Sequence, residues 1–365
     1  MKVLFITNLP APYRVKFFEE FGKLCDLTVL YERKSASDRD DKWIASHNDT
    51  YREIFLNGKE IGADNSFSLG AIKYIKDRNY DRIIVGMYST YSAIAAITYM
   101  KTHRISFWIS TDGGFVKKES KNKLKLKRFL IGSANGWLTT GANATEYLVH
   151  YGAIKERCYM YPFTSVKKNE ILSKPVNQQE KNFYKEKLKM IEDKIVLSVG
   201  QFIHRKGYDV LLKACKNIDR SIGFYIVGGK PTKEYLFLQE KYHLSNVHFI
   251  DFITKDRLTE YYMASDLFVL PTREDVWGLV INEAMAYGLP VITTSRCMAG
   301  VELISEDNIG RIIEDFENPI AWKEIIEKSI EQIESFEHRK ILDKASQYTI
   351  ENMAKINYEI ISAEF

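Results

Sequence analysis

The sequence predicts an α/β protein made of two units, each a parallel β-sheet covered by helices on both faces. Short apolar segments alternate with amphipathic segments along the chain, and this alternating series occurs twice. Strands that are apolar on both faces are typical of buried parallel sheets. At 365 residues the chain also exceeds what one hydrophobic core usually serves. Each unit is therefore expected to be doubly wound.

The first alternating series lies in the N-terminal part of the chain. Its predicted strands are 3–6, 27–30, 83–85, 106–109 and 136–139. The amphipathic segments between them predict helices over 13–24, 71–76 and 91–100. We expect these elements to form an N-terminal domain over 1–165, with the amphipathic C-terminal segment 348–365 packing back on it.

A polar stretch over 167–194 interrupts the alternation and predicts a linker followed by a short charged helix. The second series follows, with predicted strands at 195–199, 224–227, 247–250, 267–270, 291–294 and 311–313. It predicts a second doubly wound domain over 166–347. Ligand sites favour the cleft between such domains, so we expect the active site there.

Composition and charge exclude several classes of protein. The net charge of +4 is too small to indicate nucleic-acid binding. The four cysteines, which are Cys25, Cys158, Cys215 and Cys297, are far apart and form no CxxC or Cys/His cluster. The first three lie in or near apolar segments, which indicates buried reduced thiols. Neither a secretory signal nor an apolar run long enough to span a bilayer is expected. A cytoplasmic protein fits this pattern.

One candidate site follows the predicted strand that ends at Leu270. A polar loop leads to Gly278, where a helix is expected to begin, and the free N–H groups of a helix start suit a phosphate. Glu283 lies about one turn into that helix and could accept hydrogen bonds from the two ribose hydroxyls of a nucleotide. In the alternative interpretation, Glu274 and Asp275 cap the helix and Glu283 is a solvated surface charge.

A second candidate loop follows the predicted strand that ends at Val199. It carries Arg205 and Lys206, and it should emerge at the same carboxyl edge of the sheet as the first loop. A departing nucleoside diphosphate gains negative charge, so fixed cations here would stabilise the transition state. Taken alone, an Arg-Lys-Gly sequence is also typical of a solvated turn.

Together the two loops resemble the family-4 retaining glycosyltransferases, which have the GT-B fold. The matching residues, in order, are Gly200, Lys206, Gly207, Pro271, Trp277, Gly278, Leu279, Glu283, Ala284, Met285, Ala286, Gly288, Pro290, Val291, Ile292, Gly300 and Glu302. The resemblance implies a catalytic set of Lys206, Arg205, Glu274 and Asp275. It also implies donor contacts from Gly200, Gln201, Trp277, Gly278, Leu279, Val280 and Glu283.

The resemblance further implies the role of each group. Lys206 and Arg205 would bind the donor diphosphate and Glu283 the ribose, while the loop over 274–279 would face the transferred sugar. Asp275 stands where the family usually has a glutamate, with Glu274 beside it, so either carboxylate can be the one that faces the sugar. Gln201 stands where the family often has an arginine.

The mechanism that the resemblance implies is transfer with retention of configuration, by front-face attack assisted by the leaving phosphate. No metal and no cofactor are expected. The donor would be a nucleotide sugar, with uridine diphosphate (UDP) as the default nucleotide. The acceptor would be a glycan, in particular a lipid-linked one, in synthesis of a capsular or lipopolysaccharide-type polymer.

Two turns of the N-terminal domain are candidate acceptor contacts. Asn8 and Pro12 follow the first predicted strand, and Asp112 and Gly113 follow a later one. Asp112 could accept a hydrogen bond from an acceptor hydroxyl, although an Asp-Gly turn explains it equally well. The acidic residues of 38–41 resemble an Asp-x-Asp metal motif, but their polar surroundings favour a solvated loop.

A cationic cluster over 117–130 is the strongest charge feature of the chain. Its candidate membrane-binding residues are Lys118, Lys121, Lys123, Lys125, Lys127 and Arg128. Basic residues near an anionic lipid surface each contribute about 1 kcal/mol of attraction. The cluster predicts peripheral attachment at the inner face of the membrane, and a solvated basic face is the alternative.

Three other functions stay open. A GT-B epimerase acting on a nucleotide sugar would change the sugar without an acceptor, and a non-catalytic nucleotide-binding subunit would retain only the donor contacts. A nicotinamide oxidoreductase would need a G-x-G-x-x-G fingerprint after the first strand. The sequence has Thr7-Asn8-Leu9-Pro10 at that position.

Overall fold

The chain divides into two compact units, each with its own hydrophobic core. The computed structural model describes residues 1–34, 49–56, 58–61, 65–77 and 79–363. The N-terminal unit comprises Met1–Ser165 together with the segment from Tyr348 onward, and the C-terminal unit comprises Val166–Gln347.

The N-terminal unit is built on a seven-stranded, fully parallel sheet. The strands of the whole unit, including two that lie outside this sheet, are β1 (Lys2–Thr7), β2 (Asp26–Tyr31), β3 (Arg52–Phe55), β4 (Lys59–Ile61), β5 (Asn65–Phe67), β6 (Arg82–Val85), β7 (Trp108–Thr111), β8 (Gly136–Thr139) and β9 (Cys158–Met160). Its first five helices are α1 (Pro12–Gly22), α2 (Gly70–Lys76), α3 (Tyr91–Thr102), α4 (Lys121–Ile131) and α5 (Ala142–His150). The strand order is β3-β2-β1-β6-β7-β8-β9, and β4 and β5 form a separate antiparallel pair.

The interior strand β1 of this sheet shows why its segment folds as it does. The side chains from Val3 to Ile6 are buried on both faces, as a covered parallel strand requires. Pro12 begins α1, where its missing N–H costs no hydrogen bond. Phe18 of α1 then packs edge-on against Phe5, with ring centroids 4.9 Å apart. The helix is thereby fixed against the sheet by aromatic contacts.

The C-terminal unit is built on a six-stranded parallel sheet. Its strands are β10 (Lys194–Val199), β11 (Ile222–Val227), β12 (Val247–Ile250), β13 (Leu267–Leu270), β14 (Val291–Thr294) and β15 (Gly310–Ile313). Its helices are α6 (Gln178–Lys187), α7 (Tyr208–Cys215), α8 (Lys233–Lys241), α9 (Lys255–Ala264), α10 (Leu279–Ala286), α11 (Met298–Leu303), α12 (Pro319–Glu331) and α13 (His338–Gln347). The strand order is β12-β11-β10-β13-β14-β15.

A buried carboxylate connects α6 to this sheet. Asp266, which precedes β13, accepts hydrogen bonds from Lys181 at 2.7 Å and from the Ile195 backbone at 2.8 Å. Lys185 Nζ lies 3.5 Å from Asp266 Oδ2, the oxygen that also accepts from Ile195. Burial raises the pKa of Asp266, but the two lysines outweigh burial and lower it. The negative charge is therefore compensated inside the protein.

The C-terminal helix α14 (Ile350–Ser362) packs against α1 in the N-terminal unit. Arg82 donates a hydrogen bond from Nε to the Ile361 carbonyl at 2.8 Å, which satisfies an acceptor in the last turn of the helix.

The two predicted parallel sheets are confirmed, while two strand boundaries are wrong. The strand expected at 224–227 begins two residues earlier, at Ile222. The strand expected at 106–109 runs from Trp108 to Thr111. The residues before it complete the end of α3, because Arg104 has a left-handed φ of 55° and the Ile105 N–H bonds the Met100 carbonyl at 2.9 Å. This helix ending places the start of the strand further along the chain.

Candidate donor site

Two loops of the C-terminal unit meet at the carboxyl edge of its sheet. They follow β10 and β13, which are neighbouring strands. The Arg273 backbone N–H bonds the Arg205 carbonyl at 2.8 Å. Gly207 has a left-handed φ of 71°, and a Cβ there would lie 1.9 Å from the Pro271 carbonyl oxygen. Only glycine allows the two backbones to come this close. The contact between Gly207 and Pro271 therefore fixes where the Lys206 loop lies.

Lys206 is buried at this junction and is paired with Asp275. Its side chain is 11% exposed, and its Nζ lies 2.5 Å from Asp275 Oδ2. The Asp275 backbone is fixed in turn, because its N–H bonds the Arg296 carbonyl at 2.9 Å and its carbonyl accepts from Met298 at 3.2 Å. A buried ammonium needs such a counter-charge. The loop after β13 therefore holds the lysine at the edge of the sheet.

Arg205 lies on the exposed side of the same cluster. Its Nη1 donates to the Glu274 carbonyl at 2.6 Å and lies 3.6 Å from Asp275 Oδ1. The Glu274 carboxylate lies 3.8 Å from Arg296. The structure thus brings Lys206, Arg205 and Asp275 into direct contact, whereas the Glu274 side chain is near a different arginine.

Helix α10 begins beside this cluster. Gly278 is its N-cap and has φ of 102°, and a Cβ there would lie 2.7 Å from Cys297 Sγ. The Trp277 indole is buried and donates to Asn282 Oδ1 at 2.8 Å. Trp277 therefore holds the loop against the helix with its side chain. Leu279 and Val280, the first two helical residues, are half-buried.

Glu283 lies in the second turn of α10 and is half-buried. Its Oε2 accepts a hydrogen bond from the Tyr262 hydroxyl at 3.2 Å. Burial, followed by the charge of Glu283, raises the pKa of Tyr262 well above its ordinary value, so this phenol remains a donor. The interpretation of Glu283 as a solvated surface charge does not fit this contact.

Gly200 and Gln201 complete the edge after β10. The Gly200 N–H continues the ladder by bonding the Val227 carbonyl at 2.9 Å. A Cβ on Gly228 would lie 1.9 Å from the Gly200 carbonyl oxygen, so a second glycine lets these two turns approach. Gln201 is exposed at this edge.

Sequence reasoning missed Arg273 as a residue that shapes the site. Its guanidinium binds Asp209 at 2.7 and 2.9 Å, Glu317 at 2.7 Å and the His204 carbonyl at 2.7 Å. Burial raises the pKa of Asp209, but Arg273 outweighs it and lowers that pKa. Arg273 is adjacent to Glu274, and this position in the motif was the available signal.

The predicted acceptor-side residues lie in two turns of the N-terminal unit. Asp112 is held by Arg14, whose Nη2 is 2.5 Å from Asp112 Oδ1. Asn8 Oδ1 accepts from Arg33 Nε at 3.2 Å. Pro12 is the first residue of α1, and Gly113 has φ of 96°. Asn8 follows β1 and Asp112 follows β7, so both lie at the carboxyl edge of that sheet.

The predicted cationic cluster forms most of α4, with one correction. Lys118, Lys121, Lys123, Lys125 and Arg128 are exposed. Lys127 points inward: its Nζ lies 2.7 Å from Glu119, 3.0 Å from the Tyr147 hydroxyl and 4.4 Å from the centre of the Tyr151 ring. Lys127 was therefore wrongly included among the surface cations, because the helical phase turns it toward these partners.

The exposed face of α4 also carries two large apolar side chains. Leu126 is 44% exposed and Phe129 is 42% exposed, whereas Leu130 is buried in the unit. No helix in the described part of the chain is both long and apolar enough to cross a bilayer.

The metal alternative over 38–41 lies outside the described residues. Within 1–34, 49–56, 58–61, 65–77 and 79–363, no cluster of three or more His, Cys, Asp or Glu side chains is arranged to hold a metal ion.

The chain thus contains two parallel α/β units, and closely approaching glycines and two cations lie at the carboxyl edge of the second sheet. Residues 179–348 match the sequence model of the family described as glycosyl transferases group 1. This match lies almost entirely within the C-terminal unit.

Two relatives match parts of the chain. The chain is 27% identical over 201 residues to the lipopolysaccharide glucosyltransferase WaaG of Escherichia coli K12. This match covers 53% of this chain and 52% of WaaG. It is 25% identical over 286 residues to a Klebsiella pneumoniae protein described as an uncharacterised 41.2 kDa protein in the cps region, which covers 74% of this chain and 75% of the relative. The chain thus spans about half the length of WaaG.

Two solved structures share the fold across almost the whole chain. Sucrose-phosphate synthase of Thermosynechococcus elongatus superposes with a TM-score of 0.77 at 19% identity, covering 97% of this chain and 96% of that chain. HepE of Anabaena, solved in complex with UDP, superposes with a TM-score of 0.79 at 14% identity, covering 99% and 100%. The predicted GT-B fold is confirmed.

Proposed function

We propose that this protein transfers a sugar from a nucleotide-sugar donor to a glycan acceptor. The observation that carries the proposal is the cluster of Lys206, Arg205 and Asp275 beside the start of α10. Two cations and the N–H groups of a helix start offer positive potential at one edge of the sheet. Such an arrangement suits a diphosphate, which is the leaving group of a nucleotide sugar.

The chemical role of the cations follows from the charge that develops during reaction. As the glycosidic bond to the donor breaks, the departing diphosphate gains negative charge. Lys206 is already oriented by Asp275, so it can stabilise that charge with little reorganisation. Glu283 on the next turn would bind the ribose hydroxyls. The complex of HepE with UDP supports a UDP-sugar as the donor.

We propose transfer with retention and without a metal ion. Asp275 is engaged with Lys206, which suits a role in holding the cation rather than in attacking the sugar. The leaving phosphate would then help to deprotonate the acceptor hydroxyl, and Lys206 and Arg205 would supply the positive charge that a metal provides in other transferases.

The acceptor that we propose is a lipid-linked glycan of a surface polysaccharide. The names of two relatives, a lipopolysaccharide glucosyltransferase and a protein of a cps region, support this class. The exposed lysines of α4, together with Leu126 and Phe129, would attach the protein to the anionic inner face of a membrane, where such acceptors lie.

The proposal is tested with a thermal-shift panel of nucleotide sugars, followed by turnover of the best donor. We expect stabilisation by one UDP-sugar, release of UDP, unchanged activity in EDTA, and a retained anomeric configuration in the product by NMR. Isomerised nucleotide sugar without acceptor would instead identify an epimerase. Binding without any turnover would identify a nucleotide-binding subunit, and stabilisation by NAD(H) alone would contradict the proposal.

A further inference from the structure

Two stacked tyrosines lie beside Glu283 in the C-terminal unit. Tyr262 of α9 donates its O–H to Glu283 Oε2 at 3.2 Å. The Tyr262 ring is fully buried and stacks on Tyr287, with centroids 5.0 Å apart and planes 8° from parallel. Tyr287 follows α10, so the stack joins α9 to the end of the helix that carries Glu283.

The second tyrosine is itself held in place. The Tyr287 hydroxyl lies 2.8 Å from Thr259 Oγ1, and Thr259 donates its own proton to the Lys255 carbonyl at 3.2 Å. The hydrogen bond between Tyr287 and Thr259, in which either hydroxyl can be the donor, ties the Tyr287 side chain to α9. Thr259 and Tyr262 are three residues apart on α9, so they share one face of the helix.

This arrangement restricts the rotamer of Tyr262. On one side its ring stacks on Tyr287, and on another it contacts Phe268 of β13, with centroids 6.1 Å apart. A buried aromatic ring between two others has little freedom to move its hydroxyl. The hydroxyl is thus a fixed donor that points at one oxygen of the Glu283 carboxylate.

We infer that Tyr262 is a positioning residue, which orients the Glu283 carboxylate toward the ribose of the donor nucleotide. The inference rests on the proposed function, because it requires Glu283 to contact the ribose. A glutamate has three side-chain torsions, and fixing them before binding lowers the entropy cost of holding the ligand. Tyr262 acts through Glu283 and touches no reacting atom.

Equilibrium binding of UDP, 2′-deoxy-UDP and 3′-deoxy-UDP tests this inference without any need for an acceptor. Calorimetry would compare the wild type with Tyr262→Phe, Glu283→Ala and the double variant. Tyr261→Phe is the matched control, because Tyr261 is the adjacent buried tyrosine. Its ring lies 6.4 Å from that of Tyr225 on β11, whereas the donor loops follow β10 and β13. Melting temperatures would identify variants that are disturbed globally.

We expect Tyr262→Phe to weaken UDP binding by about threefold to tenfold. The loss should be smaller for the deoxynucleotide that lacks the hydroxyl bound by Glu283, and it should vanish in the Glu283→Ala background. In turnover, the KM for the donor should rise by a similar factor while kcat stays nearly unchanged. Tyr261→Phe should bind all three nucleotides as the wild type does.

The outcomes separate the inference from the proposed function. If the wild type binds UDP more tightly than one of the deoxynucleotides and Glu283→Ala does not, the ribose contact holds. Wild-type UDP affinity in Tyr262→Phe would then overturn the inference alone. If wild type and Glu283→Ala discriminate equally, the ribose contact itself fails. An equal loss for all three nucleotides in Tyr262→Phe would indicate a general disturbance and would also overturn the inference.

Discussion

Lys206 Nζ lies 2.5 Å from Asp275 Oδ2, and this pair joins the two loops that form the candidate donor site. The side chains are 11% and 14% exposed, so the pair is partly desolvated. Removing one partner of such a pair leaves an uncompensated charge, whereas a ligand phosphate could compensate the lysine in place of the carboxylate. The pair therefore sets both the position of Lys206 and the charge that a diphosphate meets.

The first prediction concerns Asp275→Asn. The variant keeps a hydrogen-bond acceptor near Lys206 but loses the negative charge that would repel a bound diphosphate. We expect UDP to bind about threefold to tenfold more tightly, while kcat falls because Lys206 is less well positioned. Calorimetry with UDP and donor turnover measure the two effects. Weaker UDP binding together with unchanged kcat would contradict this account of the pair.

The second prediction concerns the close approach at Gly207. Ala at this position would meet both a left-handed φ and the Pro271 carbonyl at 1.9 Å. We expect Gly207→Ala to destabilise the protein by more than about 2 kcal/mol and to abolish detectable UDP binding. Denaturant unfolding and calorimetry measure these effects.

Gly229→Ala is the control for backbone strain alone. Gly229 has a left-handed φ of 98°, but the nearest atom to its Cβ would be Asp251 Oδ1 at 4.0 Å. We expect a loss of about 1 kcal/mol from the left-handed conformation. Equal losses in the two variants would show that the approach to Pro271 is unimportant.

The third prediction separates the surface cations of α4 from its inward lysine. Replacing Lys121, Lys125 and Arg128 together by glutamate should weaken binding to vesicles of anionic lipid by at least about 10²-fold at low salt, with little change in melting temperature. Lys127→Met should lower the melting temperature and leave vesicle binding nearly unchanged, because Lys127 pairs with Glu119 inside the unit. Vesicle sedimentation and thermal unfolding test both variants, and wild-type protein that does not prefer anionic vesicles would remove the membrane proposal.

The fourth prediction is a pH dependence carried by Asp266. Its folded-state pKa is lowered, so it contributes stability above the ordinary aspartate pKa of about 3.9, and that stability is lost as the pH falls through the lower, folded value. Asp266→Asn should therefore cost about 3 kcal/mol at pH 7, because Lys181 and Lys185 lose their counter-charge. The difference from wild type should shrink below about pH 4. A difference that does not vary with pH would contradict the role of the charge.

The continuous apolar strands were predictable because their burial requires the pattern. Val3–Ile6 and Leu267–Leu270 are both found as strands. The edge strands β3 and β9 and the antiparallel pair of β4 and β5 were not predicted, since strands of three or four residues are too short to show a distinct hydrophobic period. Tertiary contacts decide whether such segments form strands.

The candidate site was predictable in the residues that the loop motifs carry, and much less so in how they contact each other. The position of Lys206 follows from the turn after a strand, but its pairing with Asp275 depends on two loops meeting across a long stretch of chain. Tyr262 gave no signal, because its partner Glu283 lies on another helix. Lys127 and Lys125 looked alike in sequence until packing separated them.

The role that we propose for Lys206 is to stabilise the departing diphosphate of a nucleotide sugar. Its most direct test is kcat for release of UDP from the preferred donor by Lys206→Ala, compared with Lys213→Ala, an exposed lysine of the same unit whose partner is Asp209. We predict a fall of about 10²–10³-fold for Lys206→Ala and wild-type turnover for Lys213→Ala. A kcat for Lys206→Ala within a few-fold of the wild type would contradict it.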